Sequence, residues 1–293
     1  DRYPLWHDRG LPAATAGASG LLGDPASGRR EALGTSILGA VPEQVIRLSG
    51  SSWQPLLAAL CIAALLACFI AKLYFGSALF LGLLLVQFAT WAWTTGDRHA
   101  SASVQAAPGL LLPVQYASRN APGWWALVVS LLVDGSLFAS LVFAYFYLWL
   151  GTDTWPPPGM HAGSGSVAWA ALALLGACWA CAAVLPRALR RAGGRGLAWP
   201  MGLAALCGAG FLWLQWQAVA AGTGAPTVHA YASVVWTLAG FHAVHVGVAI
   251  LVGLFAAARG WRGHVSVERA LEQRIAGALW TYAAAQGAVA WAV

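Results

Sequence analysis

The sequence predicts an all-α polytopic membrane protein with seven transmembrane helices, its amino terminus cytoplasmic and its carboxyl terminus outside. Three observations predict this class. The chain has 293 residues, of which 59% are hydrophobic and only 9% are charged, whereas about a quarter of the residues in a soluble domain are charged. The apolar residues are collected into seven stretches, each long enough to cross a hydrocarbon core of about 30 Å. Basic residues alternate between the connecting segments, so we read the net charge of +6 as a topology signal rather than a nucleic-acid surface.

The chain is predicted to consist of a tail followed by a membrane domain. Residues 1–52 are rich in Gly, Ala, Pro and Arg and are predicted to be a mostly irregular cytoplasmic tail or linker. Residues 53–293 form the membrane domain, with a first pair of helices in 53–95 and five further helices in 124–293. The loop Gly96–Pro122 is also expected to be irregular. The seven predicted spans are Trp53–Leu73, Ser77–Thr95, Trp124–Leu150, Val167–Pro186, Trp199–Ala221, Tyr231–Ala258 and Ile275–Val293.

The distribution of basic residues predicts the orientation. Arg residues occur in the amino-terminal tail and in the second, fourth and sixth connecting segments, while the connections Gly151–Ser166 and Gly222–His229 contain none. Lys72 is the one basic residue on the other side, where its long side chain can reach the interface from a helix end. Because basic loops stay in the cytoplasm, the amino terminus is predicted to be inside.

Asp134 is the only carboxylate within a predicted span. A charged side chain at the bilayer centre costs roughly 2.5–3.5 kcal/mol on insertion scales, so such residues are usually functional. Ser130 is a candidate hydrogen-bond donor on the same helix face, and no basic residue within a span is expected to pair with the acid. The hypotheses are a neutral acid packed in a helix contact, or a proton-responsive or channel-facing site. The face that Asp134 shares comprises Leu127, Ser130, Phe138, Leu141 and Tyr145.

His242 and His245 lie three residues apart on the sixth predicted span. Two imidazoles at this spacing could bind a metal, but the spans offer few further ligands, so interhelical hydrogen bonding is the preferred interpretation. Gly240, Ala243 and Gly247 form a stripe of small residues that is predicted to permit close helix packing.

All five cysteines lie in apolar stretches, and no disulfide framework is predicted. Cys178 and Cys181 form a C-x-x-C motif, which suggests redox chemistry in other contexts. On an apolar helix we instead interpret both as small packing residues. The sequence contains no phosphate-binding loop, nucleophile elbow or paired carboxylates, so neither a catalytic residue nor a metal site is predicted in this chain.

Two stretches are similar to segments of one known family. The run RNAPGWWALVVSLLVDGSLFASLVFAYFYLW places a carboxylate, Asp134, before an aromatic-rich stretch, and the run LAGFHAVHVGVAILVGL contains G-F-H-x-x-H-V with His242 and His245. Both resemble cytochrome c oxidase subunit III of the haem-copper oxidases. The run RREALGTSILGAVPEQVIRLSGSSWQPLLAA resembles the junction at which subunit I is fused to subunit III in some bacterial oxidases. On this resemblance, residues 1–52 are the end of subunit I in a fused polypeptide.

The resemblance implies a non-redox, lipid-binding subunit of a proton-pumping terminal oxidase in the respiratory chain of a bacterial inner membrane. Haem and copper would belong to subunits I and II, its expected partners, and the chain itself would bind phospholipid but no cofactor. It would support proton uptake and the stability of the catalytic subunit. Anionic lipid headgroups are expected at Arg119, Arg187, Arg190 and Arg191. The last span departs from the family, because Tyr282 and Gln286 stand where members carry His and Asp.

Two alternatives stay open at this point. One is a subunit III-like component of a quinol oxidase or nitric oxide reductase. The other belongs to a different class, a proton-coupled secondary transporter in which Asp134 is the coupling site and His242 and His245 line the substrate path.

Overall fold

A computed structural model describes residues 30–36, 38–48, 52–94, 103–107, 109–118, 120–161 and 165–292. By its internal contacts the chain divides into two compact units, Asp1–Ser118 and Arg119–Val293. The predicted tail before residue 30 lies outside the described residues.

The first unit contains two β-hairpins in segments that were predicted to be irregular. Strands β1 (Arg30–Thr35) and β2 (Pro42–Leu48) pair antiparallel, as do β3 (Ser103–Ala107) and β4 (Leu110–Pro113). A parallel bridge joins Val45 to Val114, and both side chains are fully buried. The prediction of irregular structure is therefore wrong here. An isolated hairpin is marginal in water, and these two hairpins stabilise each other by burying a shared apolar contact.

The first two helices form the tight antiparallel hairpin that the sequence predicts. Helix α1 (Gln54–Ile70) and helix α2 (Tyr74–Thr94) are separated by only three residues and pack along each other. The amide of Gln87 on α2 donates hydrogen bonds to the backbone carbonyl and the side chain of Gln54 on α1. Gly76 allows a close approach, because a Cβ there would lie 2.9 Å from Sγ of Cys68.

The second unit is a bundle of five helices. They are α3 (Pro122–Leu150), α4 (Ser166–Ala192), α5 (Ala198–Thr223), α6 (Ala230–Trp261) and α7 (Leu271–Ala292). Helix α4 continues through Pro186, where the sequence predicted its end. A short 3₁₀ turn, Gly193–Leu197, then leads into α5. All seven apolar stretches of the sequence are therefore helical.

Four of the described helical stretches are long and apolar enough to cross a membrane: Tyr74–Thr94, Pro122–Leu150, Ser166–Thr223 and Ala230–Trp261. The third comprises 58 residues and contains both α4 and α5. Helix α1 is also apolar but has only 17 residues. The composition of these helices is that of a multi-pass membrane protein.

The core of the bundle lies between α4, α5, α6 and α7, and α3 packs on α6 and α7. Trp280 of α7 is its largest fully buried side chain. Gly208 admits this ring, because a Cβ there would lie 2.9 Å from Cη2 of Trp280. Gly240 and Gly247 do not serve this purpose, since a Cβ at either would meet no described atom within 4 Å. Within the described chain, the predicted close packing is thus absent at these two glycines of the stripe.

Candidate functional site

The carboxyl group of Asp134 joins three helices of the bundle. It projects from the middle of α3 and is about a quarter exposed. Its Oδ1 atom lies 3.0 Å from Nε2 of His245 on α6. Its Oδ2 atom accepts hydrogen bonds from the Tyr282 hydroxyl at 2.5 Å and from Nε2 of Gln286 at 3.2 Å, both on α7. We call these four side chains the Asp134 cluster.

Two expectations about Asp134 are wrong. The acid does have an imidazole partner within the bundle, because the ring of His245 on α6 lies within hydrogen-bonding distance of it. Ser130 is exposed on α3 and makes no hydrogen bond to Asp134 in the described structure. Ser130 is one turn away on the same face of α3, but the acid faces the neighbouring helices instead.

Tyr282 and Gln286 complete the cluster, although the sequence indicated them only as departures from a family pattern. They are four residues apart on α7, so they lie on the same helix face one turn apart. That spacing of two polar side chains was the available signal. It could identify a polar face on α7 but not the acid to which the face would be turned.

The hydrogen bonds of His245 restrict where its protons can be. Nδ1 lies 2.8 Å from the backbone carbonyl of Phe241, and a carbonyl only accepts hydrogen bonds. Nδ1 is therefore protonated, and the contact between Nε2 and Asp134 holds one further proton. Either an imidazolium donates to a carboxylate, or a carboxylic acid donates to a neutral imidazole. Both forms have zero net charge, which lowers the cost of placing the pair in an apolar helix bundle.

His242 contacts α7 beside the Asp134 cluster, at the residues that directly follow Tyr282 and Gln286. Its ring is fully buried, and Nε2 donates to the backbone carbonyl of Ala283 at 2.9 Å. The ring packs edge-on against Phe211, with centroids 5.2 Å apart. Gly287 provides the space, because a Cβ there would lie 2.7 Å from Cε1 of His242. Both histidines thus form interhelical hydrogen bonds, which is the interpretation that we preferred from the sequence.

In the described part of the chain, no group of three or more His, Cys, Asp and Glu side chains could hold a metal ion. Cys178 is buried in the core, and its thiol lies 3.4 Å from the carbonyl of Ala204. Cys181 is buried beside it, and all five cysteines are free thiols. The packing interpretation of the C-x-x-C motif agrees with these positions.

The other predicted site residues lie apart from the Asp134 cluster. Tyr145 is eleven residues further along α3, a distance of about 16 Å at the helical rise. It is buried among aromatic rings, with centroids 5.4 Å from Trp155 and 6.4 Å from Tyr231. The predicted lipid contacts Arg187, Arg190 and Arg191 are exposed near the end of α4, and Arg119 lies outside the described residues.

An open groove of about 560 Å³ leads to one side of the cluster. It is lined by Trp124, Arg274, Thr281 and Tyr282, and the Arg274 guanidinium lies 4.4 Å from the centre of the Trp124 ring. The Tyr282 side chain therefore contacts both the groove and Asp134. This arrangement can hold one proton between His245 and Asp134, next to a tyrosine that also lines an open groove.

No family model matches this chain, and no curated protein matches it either.

Proposed function

We propose that this chain is the subunit III-like part of a bacterial haem-copper terminal oxidase, a non-redox, lipid-binding component that supports proton uptake and the stability of the catalytic subunit. It would act in aerobic respiration in the bacterial inner membrane. Haem and copper would be held by subunits I and II, and the enzyme activity, oxidation of cytochrome c by oxygen, would belong to the complex.

The observation that carries the proposal is the contact between Asp134 and His245. These residues come from the two separate stretches that resemble the family, and 3.0 Å separates their polar atoms. Motif residues that act together are expected to meet in the fold, whereas an accidental resemblance predicts no such contact. Tyr282 and Gln286 occupy the region of the family's third polar group and also bond to Asp134.

The proposal includes a topology of seven spans. Helices α1 and α7 would cross the membrane together with the four long apolar stretches, with the amino terminus cytoplasmic and the carboxyl terminus outside. The Arg-rich end of α4 would then face the cytoplasm and its anionic lipids, because basic side chains are retained there.

In this assembly the Asp134 cluster would hold a proton at the surface of the bundle. The groove beside Trp124 and Arg274 reaches Tyr282, whose hydroxyl donates to the acid. Protons could reach the His245–Asp134 pair by this route without any redox centre in the chain. Loss of the pair would then impair proton supply while leaving electron transfer intact.

Affinity purification of the chain from its native membranes under mild detergent tests the proposal. The expected result is a complex with subunits I and II, haem absorbance and oxygen reduction that is supported by reduced cytochrome c. Activity with a quinol instead would indicate the quinol oxidase alternative.

The proposal would be overturned if the chain were recovered without haem or oxidase subunits from membranes that contain an active oxidase. Proton-coupled solute uptake by the chain in liposomes, abolished by Asp134→Asn, would then establish the transporter alternative.

A further inference from the structure

A second cavity lies within the bundle, separate from the groove beside the Asp134 cluster. It has a volume of about 410 Å³ and is enclosed by α4, α5, α6 and α7, with Tyr145 of α3 at one side. This volume falls within the range of about 300–1,000 Å³ that is typical of small-molecule sites. The two sequence motifs each contribute lining residues, Tyr145 and His242, but the cavity contains none of the Asp134 cluster, and the proposed proton route does not use it.

The floor and the mouth of the cavity lie about two turns apart, near the start of α4 and the end of α7. Leu175, His242 and Gly287 form the floor. Trp169 and Trp291 flank the mouth, with ring centroids 4.7 Å apart and exposed fractions of 60% and 47%. From Trp169 to Leu175 the helical rise gives a depth of about 9 Å. The cavity is therefore a short pocket that opens beside two exposed indole rings.

The chemistry of the lining selects a neutral, mostly apolar ligand. Among the described residues, the lining contains no Asp, Glu, Lys or Arg. Most of it is Ala, Leu, Val and aromatic rings, and the polar exceptions besides Tyr145 are Gln215 and His242. A charged ligand would lose its hydration here without a counter-ion, which is unfavourable.

Gln215 supplies a specific recognition group. Its side chain lies midway down the cavity, one helical turn from Phe211 near the floor. It makes no hydrogen bond to other described parts of the chain, although it is half-buried. A primary amide both donates and accepts hydrogen bonds, so it would pair with a hydroxyl or carbonyl oxygen on a ligand.

We propose that this cavity binds a small neutral amphiphile, with an oxygen-bearing end against Gln215 and an apolar end beside the contacting rings of Trp169 and Trp291. The shared chemistry is a single hydroxyl or carbonyl on a hydrocarbon body. The body is either a straight chain or an aromatic ring, and the two can be separated experimentally. The proposal does not rest on the oxidase assignment.

Photolabelling of the purified full chain in phosphatidylcholine nanodiscs tests this binding mode. 3-Azioctanol carries its reactive diazirine near the hydroxyl, and 7-azioctanol carries it near the far end of the chain. The first reagent is expected to label residues around Gln215, and the second is expected to label Trp169 and Trp291. The same labelling pattern for both reagents, spread over the exposed helix faces, would overturn the proposal.

Competition by unlabelled compounds identifies the recognised group. Octanol or 4-butylphenol should displace the label at about five- to tenfold lower membrane concentration than octane, because octane cannot bond to the amide. Stronger competition by 4-butylphenol indicates a ring-shaped ligand, and stronger competition by octanol indicates a chain. Equal competition by octane would refute recognition of an oxygen.

Two matched pairs of variants locate the site. Ala290→Phe fills the cavity and should reduce labelling at least about fivefold, whereas Ala288→Phe, on the exposed face of α7, should not. Gln215→Leu should remove the preference for octanol over octane, while Gln217→Leu, exposed on α5, should keep it. Circular dichroism checks that each variant is folded. Should Ala290→Phe fail to fold, the Gln215 pair still decides, and an unchanged preference in Gln215→Leu contradicts the proposal.

Discussion

His245 and Asp134 share one proton between α6 and α3. Nε2 of His245 lies 3.0 Å from Oδ1 of Asp134, and Nδ1 of the same ring donates to a backbone carbonyl of its own helix. The imidazole thus has its orientation and its tautomer fixed by α6 while its other nitrogen faces the acid. A hydrogen bond from one ring nitrogen commonly determines whether the other nitrogen of a histidine donates or accepts.

Replacement of Asp134 by Asn should distinguish the contribution of the acidic group to stability from that of its hydrogen bonds. Asn keeps most of the shape and should cost about 1–2 kcal/mol of stability, whereas Leu leaves three polar partners unsatisfied and should cost about 3 kcal/mol or more. Thermal unfolding in detergent measures both values. Ser130→Ala, exposed on the same helix, is the control and should be neutral.

In the proposed complex, Asp134→Asn should assemble and still reduce oxygen, and a complete loss of oxygen reduction would contradict the supporting role.

Tyr282→Phe should remove one hydrogen bond to Asp134 and leave the ring in place. The expected loss of unfolding free energy is about 1–2 kcal/mol, because the acceptor is an acid. Tyr147→Phe provides a matched control on α3, since its side chain is 68% exposed and lies outside the cluster. Both variants are compared by thermal unfolding in the same detergent. Equal effects of the two substitutions would show that the Tyr282 hydroxyl contributes nothing specific.

Gly287→Ala should destabilise the bundle, while Gly247→Ala should not. A Cβ at Gly287 would lie 2.2 Å from Cδ2 of Leu175 and 2.7 Å from Cε1 of His242, whereas one at Gly247 would meet nothing within 4 Å. Overpacking of this kind costs about 1–3 kcal/mol. Alanine at an open helix position is neutral or improves stability by up to about 1 kcal/mol. The midpoint of thermal unfolding should therefore fall for Gly287→Ala, and it should rise or stay the same for Gly247→Ala.

The washed chain, separated from any partner, should bind neither haem nor copper in stoichiometric amounts. His242 and His245 both use ring nitrogens in hydrogen bonds, and no described group of three ligands surrounds them. Elemental analysis and visible absorbance provide the measurement, with the intact complex as the positive control. A stoichiometric metal that survives washing would be incompatible with a non-redox role.

Arg187, Arg190 and Arg191 should retain anionic lipid through purification. Each basic side chain near an anionic surface contributes about 1 kcal/mol, or about fivefold in binding. Replacing all three with Gln should therefore reduce co-purified anionic lipid relative to bulk membrane, as measured by lipid mass spectrometry. The control is Lys72→Gln, which removes a single exposed cation in the turn between α1 and α2. It should change the lipid profile little. No enrichment in the unmodified protein would contradict the prediction at once.

Much of the helical architecture could be predicted from the sequence, because hydropathy and length are local properties. All seven apolar stretches are helical, and the bounds of α3 and α6 differ from the predicted spans by only a few residues. The β-hairpins could not be predicted in the same way. The strands are short, and Val45 and Val114 are too far apart in sequence to belong to one periodic pattern. Their burial depends on hairpins that meet only in the fold.

The sequence by itself determined that Asp134 needs partners, since an acid in an apolar helix is costly wherever the helix lies. It also determined that His242 and His245 lie on nearby faces of one helix. Only the tertiary structure decided which groups meet the acid. Tyr282 follows Asp134 by 148 residues, and its contact depends on how α7 packs against α3. The same packing brings neighbouring side chains against Gly287 and leaves the space beside Gly247 empty of described atoms. Small residues permit a close approach wherever they occur, but the arrangement of neighbouring side chains decides which of them is used.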